Sequence, residues 1–273
     1  MILMKIKYLI IGNGYLGNKF LKYFNDSKMC DQRIESFDDA IKVIKEHNPE
    51  VLINCAGATG RPNVDWCEDN KEETFNSNVI LPLNLAKACK ETNTRMVHLG
   101  SGCIYSGDNN GKGFSETDRS NFGGSFYSLT KALSEQLLLD YDVLQLRLRM
   151  PIDAEMGPRN FITKITHYKK IIDVKNSMTF VDDLLSVAKV LMERNKTGVF
   201  NVTNPGAMSH TEILKLYKKY KNPNFKYEVI TVDELNKMTK AQRSNCILNS
   251  EKLEKEIKIP DLKTRIEEIL KNS

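Results

Sequence analysis

The order of segments along this chain predicts an α/β fold, a doubly wound parallel sheet followed by a smaller C-terminal lobe. Three observations carry that expectation. Short apolar runs of strand length alternate with amphipathic stretches of helical period as far as Leu139, a glycine-rich turn from Gly12 to Gly17 joins the first run to the first helix, and beyond Pro151 the elements become shorter and richer in lysine. Strands of a parallel sheet are covered on both faces, so they read as continuous apolar runs and their crossovers as helices.

Ile6 to Ile11 is the first strand, and a helix starts at about Tyr15. Val51 to Cys55 follows as a strand, then a helix around Val79 to Cys89, a strand at Met96 to Leu99 and a helix from Phe126 to Leu139. A further strand, Leu144 to Arg149, is closed by Pro151, whose missing N–H bars it from a central ladder. Residues 1–151 are expected to form the first domain and 152–273 the smaller lobe, with a strand at Val199 to Val202 and helices at Thr211 to Lys221 and Leu262 to Lys271. No Gly/Ser-rich or Pro-rich linker separates them, so the lobe is expected to mix with the first domain. Asn48-Pro49, Asn204-Pro205 and Asn222-Pro223 mark turns.

Composition narrows the class. With 41% hydrophobic and 27% charged residues in 273, the chain is neither disordered nor fibrous. Its net charge of +5 is spread along the chain with no basic arm, which disfavours a nucleic-acid binder and suits a small phosphate-bearing ligand. The six cysteines form no Cys-x-x-Cys pair, so no metal site is expected, and free thiols suit a reducing, cytoplasmic setting. Lysines interrupt the opening MILMKIKYLIIG, which therefore reads as a strand and not as a leader, and no apolar run approaches the roughly 18–20 residues of a membrane span.

Gly12-Asn13-Gly14-Tyr15-Leu16-Gly17 has the G-x-G-x-x-G spacing in the strand–turn–helix context that gives it mechanical meaning. The first glycine permits the tight turn, the second admits a pyrophosphate to the helix N-terminus, and the third lets helix and strand pack closely. The expected fold is thus Rossmann-like and the expected ligand a dinucleotide. Further on, Asp31 could accept from a ribose 2′-hydroxyl, while Arg33, with Lys28 nearby, could pair with a 2′-phosphate. Arg33 makes NADPH the expected cofactor, with NADH possible.

Tyr127 and Lys131 stand four apart on one face of a helix, where an ammonium favours the phenolate of its neighbour. Tyr-x-x-x-Lys also occurs at Tyr15/Lys19 and Tyr217/Lys221, so position and not spacing singles out this pair. Tyr127 lies one helix beyond the strand that runs into Gly100-Ser101-Gly102-Cys103, at the carboxyl edge where doubly wound folds bind ligands. Ser101 and Tyr127 converging on a carbonyl oxygen would donate protons while a nicotinamide supplied the hydride. An extended chain would place Cys103 on the same face as Ser101, and a thiol there could act as a carbon acid/base. No metal ligands are expected, the four histidines receive no role, and Asp182 and Asp183 read as the start of a helix.

The glycine loop, Ser101 and Tyr127-x-x-x-Lys131 together resemble the extended short-chain dehydrogenase/reductase superfamily over essentially the whole chain. Longer strings are similar to its nucleotide-rhamnose synthase epimerase/reductase group, relatives of the dTDP-4-dehydrorhamnose reductases: Ala56-Gly57-Ala58-Thr59-Gly60-Arg61-Pro62-Asn63-Val64-Asp65-Trp66-Cys67-Glu68, Gly124-Ser125-Phe126-Tyr127-Ser128, Pro158 to Thr166, and Arg243-Ser244-Asn245. The resemblance implies a two-stage reaction on UDP-4-keto-6-deoxyglucose. C3 and C5, both alpha to the C4 ketone, are inverted through enolates, and NADPH then reduces C4 to give UDP-β-L-rhamnose.

On that resemblance Cys103 and Lys164 are the acid/base pair of the inversion, and Ser101, Tyr127 and Lys131 are the reductase triad. Tyr127 would protonate the C4 oxygen, Lys131 would hold the nicotinamide ribose, and Ser101 would hydrogen-bond the carbonyl. Ala56, Gly57 and Asn78 fall beside the cofactor, Asn160 near the substrate, and Arg243 is a clamp for the nucleotide diphosphate. The related 4,6-dehydratases carry Asp-Glu directly after the catalytic serine or threonine, where this chain has Gly102-Cys103. The keto-sugar is therefore expected from a separate 4,6-dehydratase, and this chain is expected to be a standalone second enzyme and a homodimer. Two alternatives stay open: a dTDP-4-dehydrorhamnose reductase without epimerisation, and a catalytically silent NADP-binding regulatory subunit.

Overall fold

The computed structural model describes residues 6–272. Strand β1 (Tyr8–Ile11) leads into helix α1 (Tyr15–Tyr23), and β2 (Ser27–Met29), α2 (Phe37–His47) and β3 (Val51–Asn54) follow. Two short helices, α3 (Asp65–Asp69) and α4 (Lys71–Phe75), run through a π-helical turn, Asn76–Ile80, into α5 (Leu81–Glu91). Then come β4 (Arg95–Ser101), α6 (Phe126–Leu138), β5 (Val143–Leu148), α7 (Phe161–His167), β6 (Lys170–Ile172), α8 (Val181–Glu193), β7 (Gly198–Asn201), α9 (His210–Tyr220), β8 (Glu228–Ile230), α10 (Val232–Met238), α11 (Glu251–Glu254) and α12 (Leu262–Asn272).

Six strands form one sheet in the order β2-β1-β3-β4-β5-β7. β1 is parallel to both β2 and β3, and β3 to β4, so each crossover is a helix, as the alternation of segments requires. β1, β3 and β5 are buried at every residue; β1 and the first three residues of β3 read as apolar runs, whereas β5 carries Gln145 and Arg147 between its apolar residues. β6 and β8 make a separate parallel pair.

The chain forms two compact units, each assembled from three stretches. Among the described residues, the first holds 6–100, Ser125–Leu146 and Met192–Val199; the second holds Ser101–Gly124, Arg147–Leu191 and 200–272. The expected division at 151 differs from this one: residues 101–124 and 147–151 belong to the second unit, and Met192–Val199 to the first. The reason is that the chain leaves the sheet after β4 and returns to it at β5 and β7. Each unit has its own apolar core. Leu9, Leu52, Val43, Leu85 and Met96 pack together in the first, and Ile152, Ile165, Ile213, Ile266 and Leu270 in the second.

Sequence signals that reach beyond apolar period account for elements the alternation alone does not place. Ser36 opens α2 with a reciprocal cap, its hydroxyl accepting from the Asp39 N–H while the Asp39 carboxylate accepts from the Ser36 N–H. Ser209 with Glu212, and Thr231 with Glu234, open α9 and α10 the same way. Asp182 and Asp183 lie in the first turn of α8, as expected, and Asp183 also holds Arg265 of α12 in an ion pair.

Candidate active site

The glycine loop shows why its first and third glycines are required. Gly12 has φ of +100°, and a Cβ there would stand 2.6 Å from the Ala56 nitrogen. A Cβ on Gly17 would run into the Gly12 carbonyl oxygen, so the third glycine lets α1 close onto the loop. Gly14 faces open space, and as N-cap of α1 it offers no side chain to the first N–H groups of the helix. Those N–H groups form an anion site of the kind that receives a pyrophosphate. Asn13 is exposed and accepts from Asn18, while Tyr15 and Leu16 begin α1 half-buried.

Beside the loop lies a cavity of about 870 Å³, lined among others by Gly12, Asn13, Arg33, Ala56 and Ser77. Its volume, the uncapped helix end and the clash-limited glycines fit a dinucleotide. Arg33, whose side chain is 87% exposed, pairs with Glu35 at 2.7 Å on the cavity wall. A 2′-phosphate would compete with that carboxylate for the guanidinium. An exposed pair of this kind is worth at most about 1 kcal/mol, so exchange of partners is easy. Arg33→Ala is expected to weaken NADPH binding about tenfold and leave NADH within about twofold, by fluorescence titration. Equal losses for both would remove Arg33 from cofactor choice.

Asn78, expected beside the cofactor, sits in the π-helical turn with its side chain fully used. It accepts from the Ala58 N–H at 2.8 Å and donates to the Ala58 carbonyl at 3.0 Å and to Thr130 Oγ1 at 3.1 Å. It thus ties the loop after β3, with Ala56 and Gly57, to α6. Gly17→Ala is expected to push α1 off Gly12, lower the melting temperature and weaken dinucleotide binding more than tenfold; unchanged binding would show that the loop yields without cost.

Tyr127 is half-buried in the first turn of α6. That turn is held twice: Ser125 caps it by accepting from the Ser128 N–H at 3.1 Å, and Glu68 accepts from the Phe126 N–H at 2.7 Å. Lys131, on the next turn, is buried, and its Nζ donates to the Leu99 carbonyl at 2.9 Å. His98, which the sequence reading left without a role, stands 3.3 Å from the same Nζ. Asn54 Oδ1 accepts from the Ala56 N–H, so its Nδ2 donates to His98 Nδ1 at 3.1 Å. Burial, and next the Lys131 cation, hold His98 well below the usual histidine range. A neutral ring accepting at Nδ1 carries its proton on Nε2, so His98 is not an acceptor for Lys131, whereas the Leu99 carbonyl is one.

Ser101 and Cys103 lie in the second unit, and their geometry differs from expectation. The strand ends at Ser101 and the chain turns, because Ser101 Oγ accepts from the Cys103 N–H at 3.1 Å. Cys103 therefore follows a turn and not the alternation of an extended chain. It is half-buried, whereas Cys30, Cys67, Cys89 and Cys246 are buried, and burial pushes the Cys89 thiol up to about 12. Lys164 lies on α7, its ammonium held below the ordinary lysine value first by burial and then by the Arg159 charge.

Asn160, expected near the substrate, is the N-cap of α7. Its Oδ1 accepts from the Ile162 N–H at 3.0 Å and its Nδ2 donates to the Asp153 carbonyl at 2.7 Å, so it positions the helix that carries Lys164. Arg243 donates to the Ala241 carbonyl at 2.6 Å, and its charge reaches Tyr168. Arg149, missed in the sequence, lies against Cys103 in this unit, with Nη1 3.5 Å from Sγ.

A mostly parallel sheet with helical crossovers, a glycine cradle and a Tyr–Lys helix define the class, a Rossmann-like oxidoreductase of the nicotinamide-dependent kind. The chain belongs to the RmlD substrate-binding domain family, which it matches over residues 6–273. It is 42% identical to a trifunctional UDP-glucose 4,6-dehydratase/UDP-4-keto-6-deoxy-D-glucose 3,5-epimerase/UDP-4-keto-L-rhamnose-reductase of Arabidopsis thaliana, over 97% of this chain but 41% of the relative. The chain thus spans about two fifths of that protein. A bifunctional dTDP-4-dehydrorhamnose 3,5-epimerase/dTDP-4-dehydrorhamnose reductase of the same plant is 44% identical over 88% of this chain and 81% of its own length. Among solved structures, the UDP-rhamnose synthase of Acanthamoeba polyphaga mimivirus superposes with a TM-score of 0.94 at 36% identity, covering 98% of this chain and 99% of that one. A dTDP-4-dehydrorhamnose reductase of Bacillus anthracis, solved with NADP, shares the fold at a TM-score of 0.82 and 22% identity, over 98% of this chain and 97% of its own. Among the described residues no helix is long and apolar enough to cross a membrane.

Proposed function

We propose that this chain is a 3,5-epimerase and NADPH-dependent 4-reductase that converts UDP-4-keto-6-deoxyglucose, supplied by a separate 4,6-dehydratase, to UDP-β-L-rhamnose. The observation that carries the epimerase half is Cys103, an accessible thiol two residues after Ser101, in a unit that also holds a lysine with depressed basicity. Inversion needs a proton removed from one face of a carbon and returned to the other. Two groups of different chemistry serve that better than one.

In this reading Cys103 as thiolate takes the proton alpha to the ketone. The C–H bond breaks, an S–H bond forms, and the electron pair moves onto the C4 oxygen, where Ser101 and Tyr127 donate hydrogen bonds. Lys164 as ammonium returns a proton to the opposite face. For the reductase half, NADPH supplies a hydride to C4 when bound. Tyr127 gives its phenolic proton to the C4 oxygen, and Lys131, anchored on Leu99, stabilises the phenolate left behind. Arg243 binds the diphosphate. A homodimer fits the same reading, since Leu129 and Leu133, four apart on α6, are 50% and 43% exposed; a monomer by sedimentation would count against it.

Incubation with UDP-4-keto-6-deoxyglucose and NADPH in deuterated water, with the sugar read by NMR, tests the proposal. Rhamnose deuterated at C3 and C5 is the expected product. An uninverted 6-deoxyhexose without deuterium would leave a reductase alone, and no NADPH consumption would leave a binding subunit.

A further inference from the structure

Arg149 is among the largest side chains in the molecule that are almost wholly out of water, at 1% exposure. A buried guanidinium normally has a carboxylate beside it, because an unpaired ion in a low-dielectric interior is costly. Among the described residues Arg149 has none. Its Nη1 donates to Ser244 Oγ at 2.9 Å and to the Gly102 carbonyl at 3.3 Å, and its Nη2 donates to Asn176 Oδ1 and to the Ser244 carbonyl at 3.1 Å. All are neutral, and its Nε has no partner. The remaining contact of Nη1 is Cys103 Sγ.

The surroundings are built around this contact. A Cβ on Gly102 would meet the Arg149 side chain at 2.7 Å, so glycine there lets the arginine pass to the thiol. The Gly102 carbonyl accepts from Cys246 Sγ as well as from Arg149, which fixes the turn ahead of Cys103. Other titratable groups in range are Cys246, Arg147 and His210. Burial raises the Cys246 thiol and lowers His210 to about 4, so near neutral pH neither brings an anion to Arg149. Arg147 is a second cation, stacked on Tyr105 and donating to Asn201.

We propose that Arg149 is the positioning residue and counter-ion of Cys103, holding the sulfur and neutralising it whenever it carries the negative charge of the inversion. The thiolate and guanidinium form an ion pair before proton abstraction; the charge then leaves sulfur for the sugar oxygen, and returns when the S–H proton is given up. The catalytic use of Cys103 rests on the function proposed above, but the pairing itself does not.

Two measurements separate the two. Alkylation of Cys103 by iodoacetamide, located by peptide mass spectrometry, needs no substrate. In the full-length wild-type protein its rate at about pH 7 is expected to be at least half of its rate at about pH 9.5; a free thiol of ordinary ionisation near pH 8.5 would show a few per cent. Arg149→Met is expected to lower that ratio about tenfold and Arg149→Lys to restore most of it, with the NADPH affinity of each variant reporting that it is folded. A ratio in the wild type like that of a free thiol, or one unmoved in folded Arg149→Met, overturns the pairing. The wild-type ratio decides the matter even where a variant does not fold. Deuterium incorporation then tests the catalytic use: a normal alkylation pattern without deuterium in the wild-type product keeps the pair and sinks the epimerase reading.

Discussion

Cys103→Ala is expected to abolish deuterium incorporation at C3 and C5, by at least about 100-fold, while NADPH binding stays within about twofold of wild type. The thiol is half-buried, and its main-chain N–H, not its side chain, closes the turn onto Ser101. Alanine keeps that turn, so the loss isolates proton transfer. Lys164→Met removes the second group and is expected to stop deuteration as completely, since each inversion needs both a base and an acid. It spares the fold, because α7 is held by the Asn160 cap and by Ile162 and Ile165 in the core. A pre-inverted 4-keto-L-rhamnose nucleotide should still be reduced by both variants. If Cys103→Ala incorporates deuterium at more than a tenth of the wild-type rate, another group removes the proton and the epimerase assignment fails at its central residue.

What the sequence makes legible here is what neighbouring residues decide. Gly12 and Gly17 are readable because a tight turn and a close helix approach leave a local requirement, and the clashes a Cβ would meet confirm each glycine's part. Tyr127 and Lys131 share a helix face for the same local reason. The capping boxes at Ser36, Ser209 and Thr231 were equally local, and an S-x-x-D or S/T-x-x-E pattern ahead of an apolar stretch would have placed α2, α9 and α10 more closely.

The remainder depends on partners far along the chain. Arg149 reads as one more strand residue until Gly102, Asn176 and Ser244 are brought around it. The strand Met96 to Leu99 marks His98 as buried but not what it does there; Asn54, 44 residues earlier, and Lys131, 33 later, give it a place. Asn78 and Asn160 show the converse. Their amide side chains suited ligand contacts by type, and the structure gives each a role within the fold that type alone does not reveal, one tying a loop to α6 and the other capping α7. The extended geometry considered for Cys103 is not the one it adopts, because the Ser101 hydroxyl captures its N–H and the chain turns directly after the strand.

Tyr127→Phe is expected to slow C4 reduction by roughly 10²- to 10⁴-fold, the usual range for loss of a positioned acid. The substitution removes the phenolic oxygen, while the Ser125 cap and the Glu68 contact still hold the first turn of α6 through main-chain N–H groups. NADPH affinity should therefore stay near wild type, and the loss should appear in kcat, as for an interaction made only in the transition state. The neighbouring Lys131 is held by the Leu99 carbonyl, with His98 packed beside it and fixed in turn by Asn54. His98→Ala is expected to loosen that lysine and cost about tenfold in reduction, with Asn54 losing its partner but not its bond to the Ala56 N–H. Single-turnover reduction of the pre-inverted keto-sugar separates these effects from epimerisation. A Tyr127→Phe rate within tenfold of wild type would mean that the proton reaches O4 from another donor, and the reductase triad would have to be redrawn around Ser101 alone.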